Sequence, residues 1–100
     1  MLKRAVIVAT ALVALIPVAA SAGEVQNRIN NENTRIGAGV KDGQLTYGQY
    51  HRLDQTADRI QWQRNRDLRA NDGHLTGAEY RNLNREENNL SDRIYWDRHT

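Results

Sequence analysis

The sequence predicts an all-α fold of three helices with a long central one. Three observations lead there. Apolar residues recur at three- and four-residue spacing along three stretches, no stretch alternates polar and apolar as a strand does, and one turn phrase occurs twice. That phrase is D-G-x-L-T-x-x-[QE]-Y-x-x-L, from Asp42 to Leu53 and again from Asp72 to Leu83. Each copy later reaches D-R-I-x-W, at Asp58–Trp62 and at Asp92–Trp96. The second copy is longer by four residues, about one helical turn, so it keeps nearly the same buried face.

The elements follow in order. Val25, Ile29, Ile36 and Val40 mark the first helix, diluted by Asn27, Asn30, Asn31 and Asn33 and expected to end at Gly37 and Gly39. The second carries Tyr50, Leu53, Ala57, Ile60 and Leu68 on one stripe, interrupted by Arg64, and is expected from about Thr46 to Ala70. The third carries Tyr80, Leu83, Leu90 and Ile94, with Glu87 as its polar interruption. Two packings satisfy this pattern: a helical bundle, or a degenerate EF-hand-like pair. The bundle is favoured, because a straight central helix would hold the two repeated turns at opposite ends.

Ahead of these elements, Met1-Leu2-Lys3-Arg4 precedes an apolar run from Ala5 to Ile16 and the small-residue site Ala20-Ser21-Ala22. This is the pattern of a signal peptide over residues 1–22, with cleavage after Ala22 and a periplasmic or secreted product. The apolar run is too short to span a bilayer, which takes roughly 20 residues. Residues 23–100 then form a single helical domain with an internal repeat, 42–62 and 72–96.

Removing the leader changes the charge argument. Lys3 and Arg4 are two of the 14 basic residues, and all 12 acidic residues lie beyond residue 22, so the mature part is balanced. Nucleic-acid binding draws on a concentrated basic surface, and net charge gives it no support here. With no cysteine, disulfides cannot brace the domain. Leu, Ile and Val supply about 15% of the mature residues and Phe none, a thin core that predicts a stability of about a few kcal/mol. A protein partner or self-association would add to it.

The repeated phrase has two readings, an ion site or a helix start. With Gly73 at the sixth position of an EF-hand loop, Asp72 falls at the fifth, His74 at the seventh and Glu79 at the twelfth, as that family requires. The first and third positions are then Leu68 and Ala70, which carry no side-chain oxygen. The upstream copy offers Ala38, Val40, Asp42 and Gln49 at positions one, three, five and twelve. Calcium takes six or more oxygens, largely carboxylate, so the candidate cation ligands reduce to Asp67, Asp72 and Glu79. The helix-start reading uses every repeated letter. Thr46 and Thr76 are N-caps with Gln49 and Glu79 three residues on, two capping boxes, while Leu45/Tyr50 and Leu75/Tyr80 sit at the positions of a hydrophobic staple. Asp-Gly supplies the turn. Helix starting is favoured, and no cofactor is expected, with calcium the one alternative.

On these motifs the chain resembles small, uncharacterised exported bacterial proteins with EF-hand-like D-G-x-L-T-x-x-E repeats, over most of residues 25–100. Leu45-Thr46-x-x-Gln49 is also similar to the L-T-x-x-Q signature of the Spy/CpxP family of periplasmic helical chaperones and stress proteins. That second resemblance implies a periplasmic chaperone, although a capping box alone produces the same letters and the second copy carries Glu79 in place of Gln.

The remaining chemistry is sparse. Trp62 and Trp96 each follow a stripe isoleucine by two residues, about 200° around a helix. Arg59, Trp62, Arg66 and Arg69 form a column at three- and four-residue spacing, the composition of a binding hot spot. The other reading, that the tryptophan covers a second neighbour of the middle helix, is the favoured one. His51, His74 and His99 lack metal-ligand spacing, Glu86-Glu87 reads as a solvated pair, and no nucleophile or phosphate-binding loop stands out. The expectation is a non-enzymatic exported protein that binds another protein or associates with the envelope.

Overall fold

The computed structural model describes residues 18–100, with side-chain surroundings given from Ser21 onward. It contains three helices among these residues: α1 (Val18–Lys41), α2 (Tyr47–Ala70) and α3 (Gly77–His99). The signal-peptide reading rests mainly on residues 1–17, which lie outside the described residues, and its cleavage point falls inside α1. No described helix is long and apolar enough to cross a membrane.

α1 is longer than its sequence suggests. It runs through Gly37 and Gly39 to Lys41, because neither glycine turns the chain. The stop comes at Gly43, whose φ of 71° places it in the left-handed region. There Gln44 N–H donates to Gly39 O at 2.8 Å and Gly43 N–H to Val40 O at 3.1 Å, the paired bonds of a Schellman end. Gly39 has a different task. A Cβ at that position would lie 2.8 Å from Leu45 Cδ1, so the returning chain packs directly on α1 backbone. Val40, expected on the buried stripe, is exposed.

Both repeated phrases start helices. Thr46 Oγ1 accepts from Gln49 N–H at 3.1 Å while Gln49 Oε1 accepts from Thr46 N–H at 2.9 Å. Thr76 and Glu79 repeat the arrangement at 3.1 and 3.0 Å. Two orphan amides are satisfied at each start, which contributes about 1 kcal/mol per cap. The turns differ in how they end the preceding helix. At the second turn Asp72 also takes a positive φ, 56°, ahead of Gly73 at 85°, and Gly73 N–H closes on Leu68 O at 2.7 Å.

The core lies along the common axis of the three helices. Val25, Ile29 and Ile36 of α1 meet Leu53, Ala57 and Ile60 of α2 and Leu83, Leu90 and Ile94 of α3, with Leu75 sealing the second turn. Leu45, Tyr50, Leu68 and Tyr80 pack against its edge. Cross-helix bonds give the directions. Arg64 Nε donates to Ala22 O, joining the end of α2 to the start of α1, while Arg28 and Arg35 reach Asn88 and Ser91 in parallel order. The result is an up-down-up three-helix bundle. α2, at 1.5 Å per residue about 36 Å long, keeps the two turns at opposite ends, so they do not pair as EF-hand loops do.

Candidate functional site

α2 turns Leu53, Ala57 and Ile60 inward, so Trp62, two residues beyond Ile60, points away from both neighbouring helices. Its exposure is 57%, and Arg59, Arg66 and Arg69 are exposed beside it. The Arg66 guanidinium carbon lies 5.0 Å from the centroid of the Trp62 ring, a cation–π contact that orders both side chains in advance. Arg66 also stands 3.6 Å from Asp67 Oδ1. The reading favoured from the sequence, in which the tryptophan covers a second neighbour, does not hold, because no helix lies over it. Trp96 is turned outward in the same way, 63% exposed, with its ring edge-on to Tyr95 at 5.5 Å.

The candidate cation ligands are only partly brought together. Glu79 is committed: one carboxylate oxygen accepts from Thr76 N–H, and both accept from Asn71 Nδ2 at 2.9 and 3.1 Å. Asp67 is buried close by. Burial first, and then the negative charges of Glu79 and Glu86, raise its pKa against the pull of Arg66. Asp72 is exposed. Among the described residues no three His, Cys, Asp or Glu side chains form a group able to hold a metal ion. The three histidines are exposed; His51 stacks on Tyr47 at 5.8 Å and His99 on Tyr95 at 4.0 Å.

Sequence reasoning missed one cluster. Glu87, expected on a solvated face, is 0% exposed, and Glu32 across the α1–α3 seam is 2% exposed. Arg28 lies between them, its Nε 3.6 Å from Glu87 Oε1 and its Nη2 4.0 Å from Glu32 Oε2, while its guanidinium donates to Asn84 and Asn88. Neither Glu87 oxygen has a hydrogen-bond partner, nor does Glu32 Oε1. Burial pushes the Glu32 carboxyl up to about 7 against Arg28 and Arg35. Burial together with the Glu32 charge pushes Glu87 up to about 8. The signal was present as register. Glu32 falls between Ile29 and Ile36, and Glu87 between Leu83 and Leu90, at the spacing of the core itself.

Comparison with known proteins finds no matching family model, no matching curated protein and no matching solved structure.

Proposed function

We propose that this chain is a small exported, non-enzymatic module that binds a partner protein through the outer face of α2. Arg59, Trp62, Arg66 and Arg69 would make the contact. The observation that carries this reading is the exposed Trp62 ring held under the Arg66 guanidinium. Leaving a large indole in water forgoes about 2 kcal/mol or more of burial, and a thin-cored domain has few such residues to spare. Tryptophan and arginine are also the residues that dominate interface energetics when a partner desolvates them. Restricting their rotamers before binding lowers the entropy cost of association.

The test uses the full chain as bait in envelope and secreted extracts of its host. Trp62→Ala should keep the helical circular dichroism and melting temperature of the parent while losing the captured partner, and Trp62→Phe should retain part of it. Unchanged capture by Trp62→Ala would refute the assignment. Collapse of its helicity would show that the tryptophan serves the fold instead.

A further inference from the structure

Two of the three helix seams are closed by polar side chains and the third is not. Between α1 and α2, Gln26 and Gln61 exchange amide hydrogen bonds at 2.9 Å. Between α1 and α3, Arg35 donates to Ser91 at 2.6 Å and Tyr80 to Glu24 at 2.5 Å, beside the Arg28 contacts. Between α2 and α3, no side-chain hydrogen bond or ion pair joins the helices among the described residues; Asn71–Glu79 belongs to the turn. A groove of about 210 Å³ lies there instead, with Arg52 and Arg59 on the α2 rim, Glu86 and Arg93 on the α3 rim, and Leu53 and Leu90 lining it.

The groove is electrostatically incomplete. Arg52, Arg59 and Arg93 are exposed, and no carboxylate stands within ion-pair distance of any of them. Asp54 and Asp58 of α2 sit about 160° and 120° around the helix from Arg52, and neither forms an ion pair with Arg52 or Arg59. Glu86 adds one negative charge, and its Oε1 is buried with no hydrogen-bond donor. Three cations and the Glu86 carboxyl group therefore line one opening, with the buried Leu53 and Leu90 as its floor.

We propose that this groove receives an acidic segment of a partner protein. Its carboxylates would meet Arg52, Arg59 and Arg93, an apolar side chain would lie on the groove floor above the buried Leu53 and Leu90, and a peptide N–H or hydroxyl would meet the Glu86 carboxyl on the rim. Arg52 and Arg59 are seven residues apart, about 10.5 Å along the helix. That spacing matches acids seven apart on a helical segment or three apart on an extended one. The need for a donor beside the anions favours a peptide, because a phosphodiester group has none. The inference rests on the reading of α2 as the partner-facing helix and shares Arg59 with its outer column, but Arg52 and Arg93 belong to the groove alone.

The experiment is fluorescence anisotropy of the full chain with a labelled peptide of Glu-Glu-Leu repeats, against a Gln-Gln-Leu control. The acidic peptide should bind and the control should not, and added salt should weaken binding. R52Q/R93Q should weaken it about tenfold, and R52K/R93K should restore most of it. W62A and R81Q, outside the groove, should stay close to the parent. Equal loss in R81Q would overturn the proposal in favour of diffuse charge attraction. Loss confined to W62A would overturn it while leaving the outer column standing. Failure of the peptide to bind, equal or tighter binding of anionic lipid vesicles through the same arginines, or sedimentation showing a second copy of the chain blocking the peptide would each overturn it as well.

Discussion

Replacing Glu87 by Gln is expected to stabilise the bundle at pH 8 and to destabilise it by about 1 kcal/mol at pH 5. Glu87 is fully buried, neither of its oxygens is hydrogen-bonded, and the nearest cation, Arg28 Nε, stands 3.6 Å away. Burial and the neighbouring Glu32 charge lift its carboxyl from 4.5 to about 8, more than Arg28 and Arg64 can offset. Between those two values the folded chain holds a proton that the unfolded chain has released. Stability therefore falls as pH rises through this window; it is fully present below 4.5 and the loss is complete above about 8. A displacement from 4.5 to about 8 corresponds to on the order of 5 kcal/mol, shared in part with Glu32 because the two charges repel. Glutamine has nearly the same volume and no charge. Allowing about 2 kcal/mol for its desolvated amide, the variant should gain about 2–3 kcal/mol at pH 8. Urea unfolding followed by circular dichroism at both pH values measures this. Equal stability of the parent chain at pH 5 and 8, or a destabilised Glu87→Gln at pH 8, would mean that Glu87 works as the charged partner of Arg28, and the reasoning would fail.

Other outcomes follow from the same geometry. Thr76→Ala should cost about 1 kcal/mol by uncapping α3, and Thr46→Ala a similar amount, both readable as lowered urea midpoints. Leu83→Ala, at a fully buried position, should cost about 2–5 kcal/mol and leave a melting curve with little native baseline. Gly73→Ala should cost about 1 kcal/mol, because alanine must adopt the positive φ of 85° that glycine takes without strain. Millimolar calcium should leave the melting temperature of the full chain unchanged, since Glu79 already spends its oxygens on Thr76 and Asn71; a rise abolished by Glu79→Gln would reinstate the ion-site reading.

Helix starts were the most legible part of the fold. A capping box is local, so Thr46–Gln49 and Thr76–Glu79 announce in four letters what the hydrogen bonds do. The end of α1 was harder to read. Gly37 and Gly39 look like stops, but a glycine ends a helix only where the chain adopts the left-handed conformation, and the Schellman bonds place that turn at Gly43. The core was legible wherever it is apolar. Glu32 and Glu87 escaped because a carboxylate at a core register reads as an interruption, and only three-dimensional packing reveals that two such interruptions meet beside Arg28. The outer column of α2 was visible as spacing. Its exposure was not, because a middle helix can carry a second buried face, and here none of its neighbours covers Trp62. The α2–α3 groove depends on which arginines lack partners, a property of pairs of helices that no single stretch of sequence encodes.

The account stands on α2 presenting Trp62 to a partner from a fully folded bundle. Trp96→Phe leaves Trp62 as the only tryptophan, so its fluorescence in the dilute, folded chain reports directly on that side chain. An emission maximum and acrylamide quenching close to those of the same variant unfolded in urea are predicted. A blue-shifted, protected indole in the folded chain would contradict the account.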